Sequence, residues 1–316
     1  MLFSTLMKKS NQYVKHLIGF SLLFSFATPI LATTTSPAVS HVANNAENKD
    51  ETPPTIGNFV LPFSQQPGPL VSFGENTVNK NQTQLFLFAD DYVGVREHYA
   101  DVVPALLYGI TDSLTVFFNL PVAASYRQRN HHSAGLEDAF AQFEYNYYSK
   151  STKRFTDQAT FVASISVPTG STQKNPQTGN GSPAFFFGGT FNRTYVDWFA
   201  FTSYGATLTT TNDETKMGNQ FVYQAGIGRN ICNTGKDWLF AWMVEGDGTY
   251  STKNRINGIT DPNSGGNVVY VTPSFWVSSK KLIFQAGVGL PVTQHWNGDQ
   301  NSSSYLVVSN IIWTLD

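Results

Sequence analysis

The 316-residue sequence predicts an all-β fold: a transmembrane, up-and-down antiparallel β-barrel of about twelve strands. Three observations support this prediction. The N-terminal segment has the composition of an export signal, and most of the remaining chain alternates apolar and polar residues with a period of two. Tight turns also alternate with long polar loops, as they do in outer-membrane barrels.

The first segment of the chain predicts export. Residues 1–32 carry three lysines ahead of an apolar run, which ends in Ile-Leu-Ala before a Thr-rich stretch. This is the pattern of a secretory signal peptide cleaved after Ala32. A transmembrane anchor is the alternative, but the run is short for a spanning helix of about 20 residues, and Pro29 interrupts it. A cleaved signal peptide is therefore the better interpretation.

Residues 33–81 are predicted to form an irregular periplasmic leader. They are rich in Thr, Pro, Asn and Gly, and proline blocks regular hydrogen-bond ladders because it has no N–H donor. Two interpretations of this leader are open. It is either a flexible tether or a plug that docks Phe59, Leu61 and Phe63 into the rest of the protein, and its composition favours the tether.

Alternation begins near residue 82 and continues almost to the C-terminus. In one example, Leu114, Val116 and Phe118 share an apolar face, while Thr115 and Asn119 lie on the other. The predicted strands lie near residues 82–96, 99–110, 113–127, 136–149, 157–168, 182–193, 196–210, 218–231, 237–250, 267–278, 281–294 and 303–315.

Strand length distinguishes a barrel from a soluble β-sandwich. Strands of soluble proteins average about 5 to 6 residues. The predicted strands run to about 12 residues, enough to cross a hydrocarbon layer of about 30 Å at a tilt of about 45°. The sheet must also close, since lipid offers no partner for the backbone groups of an open edge. We therefore predict one barrel domain over residues 82–316.

The connections between strands predict an orientation. Residues 111–112, 194–195 and 279–280 are tight turns, whereas the long connections are polar and rich in Gly and Asn. Long loops of such barrels normally face outward and short turns face the periplasm. The long connections are predicted at residues 127–135, 168–182, 251–266 and 294–303. Aromatic residues gather at strand ends, as in an interfacial girdle: Tyr145, Tyr147, Trp198, Trp238, Tyr250, Tyr305 and Trp313.

Several functions are disfavoured by composition and motifs. A net charge of −2 gives no electrostatic footprint for nucleic acid, and the single cysteine, Cys232, has no partner for a disulfide or a zinc site. The Gly-x-Gly pairs at 226–228 and 287–289 lack the third glycine of a dinucleotide fingerprint. His131 and His132 are predicted in a surface loop, and no histidine has a recognisable catalytic partner motif. We predict no cofactor, no metal site and no enzyme.

Eight polar residues fall on the face opposite the apolar stripes. A charged side chain facing lipid would cost up to about 2 to 4 kcal/mol, so these residues are predicted to face inward. Either they line a solute path, or they pair with inward arginines or fill the interior. In the first strand, Asp90 and Asp91 are adjacent and must face opposite ways, which leaves their assignment open. The candidate lumen-lining residues are Gln142, Glu144, Asn146, Gln224, Glu245, Asp247, Gln285 and Asn310.

The chain from Thr83 onward resembles a family of porin-like outer-membrane barrels named for the MetA pathway of phenol degradation. The resemblance rests on the order of six short stretches, at residues 104–114, 119–122, 135–138, 167–171, 224–228 and 287–292. It implies an outer-membrane barrel and the passage of small molecules, aromatic ones among them. Such barrels often end on an aromatic residue, whereas here three residues follow Trp313.

Together these features predict a passive channel or facilitator for small solutes, including aromatic or apolar ones, in the outer membrane of a Gram-negative bacterium. Eight strands enclose a filled interior and 16 to 18 leave a water channel, so twelve predict a narrow pore. The expected partners are outer-membrane lipid and a small solute. The alternative is a non-conducting structural or surface-interaction barrel that works through its extracellular loops. The sequence specifies neither the solute nor the oligomeric state.

Overall fold

The computed structural model describes residues 51–73, 76–212, 214–235 and 237–315. The predicted signal peptide, at residues 1–32, lies outside these ranges, as does the first part of the predicted leader. The cleavage site after Ala32 stays a prediction.

The predicted fold is confirmed: the main sheet is a closed antiparallel barrel of twelve strands. Each strand pairs with its neighbours along the chain, and β1 pairs with both β2 and the last strand, which closes the sheet. The strands are β1 (Thr83–Gly94), β2 (Glu97–Gly109), β3 (Leu114–Asn119 and Val122–Gln128), β4 (His131–Leu136 and Ala139–Ser151), β5 (Phe155–Val167), β6 (Ala184–Tyr195), β7 (Trp198–Thr209), β8 (Gln220–Thr234), β9 (Trp238–Ser251), β10 (Gly266–Ser279), β11 (Leu282–Trp296) and β12 (Ser303–Leu315).

Strands β3 and β4 are each broken once. The structure here corrects two predictions, the long loop at residues 127–135 and the loop position of His131 and His132. The interruption in β3 falls at Pro121, which lacks an N–H for the ladder. The long loop predicted at residues 127–135 is wrong, because His131–Leu136 pairs with Val122–Gln128. The turn is short, with Arg129 at a φ of 55°. His131 and His132 therefore lie in a strand rather than a loop.

The barrel wall separates an apolar exterior from a buried interior. In β1, Leu85 and Leu87 are 42% and 46% exposed, whereas Phe86 between them is 6% exposed. The same strand resolves the ambiguity of the adjacent acids. Asp90 is buried inside, while Asp91 faces outward and its Oδ1 lies 2.6 Å from Nε2 of His98. Within the described ranges, none of the helical segments has the length and hydropathy of a membrane span.

The two ends of the barrel differ. Short turns follow β2, β4, β6, β8 and β10, and we call this the tight-turn end. At the opposite, long-loop end, the connections after β7 and β9 form a small antiparallel sheet. Its four two-residue strands are Thr211–Asn212, Thr215–Lys216, Arg255–Ile256 and Ile259–Thr260.

The leader enters the barrel at residues 57–73 and 76–79, so the favoured tether is wrong for these residues. Of the three residues that the plug interpretation docked, Phe59 and Leu61 are buried, whereas Phe63 is 40% exposed. Two short 3-10 helices, Gly57–Val60 and Phe63–Gln65, begin this segment. At the tight-turn end, the N–H of Asn58 donates to the carbonyl of Val196 at 2.7 Å. Gly57 has a φ of 58°, and a Cβ there would lie 2.0 Å from the same carbonyl oxygen, so glycine is required.

Apolar side chains of the leader join the core of the barrel. Leu61, Leu70 and Val78 are buried in one cluster with inward residues of the wall, such as Leu107 and Leu239. Burying a side chain of this size contributes about 1.5 to 3 kcal/mol. The leader leaves where it entered, since the N–H of Asn81 donates to the carbonyl of Gly109 at the tight-turn end at 2.8 Å.

Candidate functional site

The interior of the barrel contains seven of the eight candidate lumen-lining residues as buried side chains. Asn146 stands apart. It is half-buried, and its side-chain amide hydrogen-bonds to the hydroxyl of Ser149 at 2.8 Å. The other seven contact the leader or hydrogen-bond to a residue that does. Whether any of the eight lines an open solute path stays a prediction.

Glu245, in the middle of β9, binds the innermost part of the leader. The N–H of Leu70 donates to Oε1 at 2.7 Å and the N–H of Ser72 donates to Oε2 at 3.0 Å. Between them, the N–H of Val71 lies 3.4 and 3.3 Å from the two oxygens. Three consecutive amides around one carboxylate form an anion-binding nest. Because one carboxyl group accepts from three consecutive backbone amides, we call this contact a latch for the leader.

Asp247 and Gln224 extend this latch across two strands. They are cross-strand partners, and Nε2 of Gln224 donates to Oδ1 of Asp247 at 3.2 Å. The hydroxyl of Ser72 donates to the same Oδ1 at 2.7 Å, and the N–H of Phe73 donates to Oε1 of Gln224 at 3.1 Å. The leader backbone is thus bound by side chains rather than by a strand ladder.

Glu144 forms a second latch on the opposite side of the leader segment. Its Oε2 accepts the backbone N–H of Asn76 at 2.7 Å, and its Oε1 accepts the side-chain amide of Asn76 at 2.8 Å. Gln142, two residues earlier on the same face of β4, donates to the same Oε1 at 2.6 Å. All of these donors are uncharged.

Gln285 and Asn310 bind the segment that leads to the first latch. Nε2 of Gln285 donates to the carbonyl of Gly68 at 2.9 Å, and Asn310 orients Gln285 through a 2.8 Å bond from Nδ2 to Oε1. The hydroxyl of Ser278 donates to the carbonyl of Gln65 at 2.9 Å. Inward polar residues of the wall therefore serve as partners for the leader backbone.

The sequence reasoning missed the leader residues that complete this site, above all Leu70, Ser72 and Asn76. The only available signal was an apolar segment, Leu70 to Phe73, within an otherwise polar stretch. Such a segment in an exported chain needs an apolar partner, which the barrel interior supplies.

The leader lies inside the barrel beside two cavities of unequal size. A cavity of about 280 Å³ lies beside the leader. Thr209 and Gly218 line it near the long-loop end, and Phe86, Trp276 and Ile312 line it nearer the tight-turn end. A second cavity, of about 60 Å³, lies beside Phe63 and Thr190 on the tight-turn side. Leader residues Leu70, Val71, Ser72 and Phe73 line the larger cavity, so the leader forms part of its wall.

The larger cavity has an aromatic wall and a set of acidic groups. A cavity of about 150 Å³ holds one benzene molecule, so about 280 Å³ suits a substituted aromatic ring. The aromatic residues that line it are Phe73, Phe86, Phe88, Phe117, Phe140, Phe186 and Trp276. The acidic residues that line it are Asp90, Asp101, Glu137 and Asp138.

Fold and interior together define a twelve-stranded barrel of the outer-membrane type. Among solved structures, the chain is similar to the COG4313 outer membrane channel from Pseudomonas putida F1. The two share 13% sequence identity and a TM-score of 0.61, over 75% of this chain and 97% of that one. At this identity the likeness concerns the fold alone.

Other barrels match less well. LpxR from Salmonella typhimurium is 8% identical with a TM-score of 0.40, over 73% of this chain and 99% of that one. The toluene transporter TodX from Pseudomonas putida is 8% identical with a TM-score of 0.36, over 76% and 90%. Neither likeness is close enough to carry an argument. No family model and no curated protein matches the sequence, so membership of the phenol-degradation family stays a prediction.

Proposed function

We propose that this protein is an outer-membrane channel or facilitator for small aromatic or apolar solutes, and that its leader acts as a displaceable plug. The observation that carries the proposal is the cavity of about 280 Å³, which has an aromatic wall, lies beside the leader and extends toward the long-loop end. The resemblance to the phenol-degradation family and the fold shared with the COG4313 channel support the same function.

A solute entering at the long-loop end would meet the cavity first and the leader second. Its passage then requires the leader to shift at the tight-turn end. The leader is attached by hydrogen bonds to side chains of the wall, by buried apolar residues and by backbone hydrogen bonds at its two ends. Its described residues form no strand of the barrel. Such contacts can break without opening the sheet, which would cost many backbone hydrogen bonds at once.

The second candidate is a non-conducting barrel that works through its outer loops. The specific observation in its favour is the leader itself, which packs inside the barrel and is hydrogen-bonded at the tight-turn end. A flux measurement distinguishes the two functions.

Liposomes containing the mature chain should release a small aromatic solute faster than a sugar of similar mass, because the cavity wall is largely aromatic. Release is followed by absorbance after rapid dilution, and protein-free liposomes correct for passive leakage of the aromatic solute through lipid. Equal corrected rates for both solutes would contradict the aromatic preference. The absence of any flux, with and without the leader, would favour the non-conducting barrel.

Location and orientation can be tested on whole cells. In a Cys232→Ser background, cysteines at Gln173 and Thr260 should react with a membrane-impermeant maleimide, since both residues are exposed in long-loop connections. A cysteine at Lys280, which is exposed in a tight turn, should react only after the outer membrane is permeabilised. The opposite pattern would reverse the proposed orientation, and recovery of the protein in the soluble periplasm would reject a membrane location.

A further inference from the structure

Two carboxyl groups face each other inside the first hairpin of the barrel. Asp90 of β1 and Asp101 of β2 are cross-strand partners, and both line the cavity beside the leader. They are only 7% and 5% exposed. Oδ1 of each accepts no hydrogen bond from the part of the chain that the structure describes. Buried carboxyl oxygens without donors are costly, which points to a donor supplied from the cavity.

The neighbouring acids are held differently. Oδ1 and Oδ2 of Asp138 accept the backbone N–H groups of Gly170 and Asn180 at 3.0 and 2.7 Å, so this residue anchors a long loop. The hydroxyl of Tyr99 lies 3.1 Å from Oδ2 of Asp101 and 2.7 Å from Oε2 of Glu137, so its single proton serves these two acceptors. The described residues that line the cavity include no Lys, Arg or His. The cavity is therefore acidic, and the two Oδ1 atoms are carboxyl oxygens in its lining for which the described residues supply no donor.

Aromatic rings lie directly beside this pair. Phe88 is two residues before Asp90 on the same face of β1, and its ring is 5.4 Å from that of Phe86 and 6.3 Å from that of Phe117. Phe86 and Phe117 are 4.9 Å apart. The faces of such rings attract cations as well as apolar groups. A three-ring cluster and an acidic pair thus share one wall of the cavity.

We propose that this wall is a binding subsite for organic cations, namely molecules with an aromatic or apolar body and a protonated amino group. The ammonium group would donate to Oδ1 of Asp90 and of Asp101, and the body would pack on Phe86, Phe88 and Phe117. A bare metal ion would use the carboxylates alone, whereas an aromatic amine uses both halves of the wall. The inference deepens the proposed function by naming a solute class. Binding of the amine does not depend on the proposed function, whereas a role of the subsite in transport does.

The test compares two ligands of nearly equal shape on the full mature chain in detergent, at pH 7 and low salt. 2-Phenylethylammonium should bind at least about tenfold more tightly than 2-phenylethanol, because hydrogen bonds between charged groups exceed neutral ones. Binding is measured by calorimetry and by fluorescence, since Trp276 lines the cavity. The double substitution Asp90→Asn and Asp101→Asn should abolish the preference and leave binding of the alcohol unchanged.

Asp91→Asn is the matched control, because this neighbour faces outward in the same strand. It should keep the full preference for the amine. Three results would overturn the subsite: equal binding of both ligands to the unaltered chain, a preference that survives the double substitution, or a preference that Asp91→Asn also abolishes. Binding of calcium alone, with displacement of the amine, would assign the pair to a metal ion instead.

Alcohol binding also reports folding, because a misfolded variant would lose it. If the double variant does not fold, the single substitution Asp90→Asn and the salt dependence of amine binding carry the test. Binding in detergent does not require conduction. A preference for the amine without flux would therefore support the subsite and reject transport. Flux without the preference would support transport and reject the subsite.

Discussion

A chain that begins at Asn79 after signal-peptide removal should conduct about tenfold more current than the full mature chain, since a twelve-stranded barrel is wide enough for a lumen once its filling is removed. The reason is that residues 57–73 and 76–78 pack inside the barrel. β1 begins at Thr83, so the truncation leaves every barrel strand intact. Single-channel recordings in planar bilayers measure the change, and heat-modifiable gel migration checks that the shortened barrel is folded.

The same truncated barrel provides a test of its inward charges. Without the leader, Glu144, Glu245 and Asp247 lose their donors from Leu70, Ser72 and Asn76 and would face water. Fixed acids in a narrow lumen favour cations. The reversal potential in a salt gradient should therefore show cation preference, and Glu144→Gln together with Glu245→Gln should reduce it. Equal conductance of the full and truncated chains would show that the leader does not block the pore.

The second large effect should come from the substitution Glu245→Ala. It leaves the amides of Leu70, Val71 and Ser72 without their acceptor at the centre of the barrel. Each buried group left without a partner costs about 1 to 3 kcal/mol, and each 1.4 kcal/mol changes an equilibrium about tenfold. We therefore expect the population with a released leader to rise by at least about two orders of magnitude.

Release can be followed with a buried thiol. In a Cys232→Ser background, a cysteine in place of Leu70, which is buried under the latch, should react with maleimide much faster when Glu245 is also alanine. Asp247→Asn is the matched control. It lies on the same face of β9, and its amide oxygen can still accept the hydroxyl of Ser72. Equal labelling rates in the alanine variant and the parent would mean that Glu245 does not hold the leader.

The barrel itself could be predicted from the sequence because strand alternation is a local property. Two residues along a strand return to the same face, so apolar and polar positions in β8 or β9 identify both faces without any long-range information. Strand ends were predicted to within a few residues for most strands. The exception was β4, where the polar residues His131 and His132 resembled a loop although the backbone continues the ladder. Polar residues indicate exposure to solvent. A strand that extends beyond the apolar belt is also exposed to solvent, so it too contains polar residues.

The inward direction of Glu144, Glu245 and Asp247 also followed from the sequence, since acids are unfavourable on a lipid-facing surface. The partners of these acids did not. The latch joins Leu70 to Glu245, which are 175 residues apart, and Asn76 to Glu144, which are 68 apart. No periodicity in the leader records such contacts.

The sequence by itself determined the closed barrel, its two faces and the acidic character of its interior. Only the tertiary structure decided that the leader is a plug, that Asp90 rather than Asp91 faces the cavity, and that Asp90 lies opposite Asp101. The physical reason is the range of the interactions. Alternation is set by neighbouring residues, whereas the register between strands and the occupant of the lumen are set when the barrel closes and brings distant residues together.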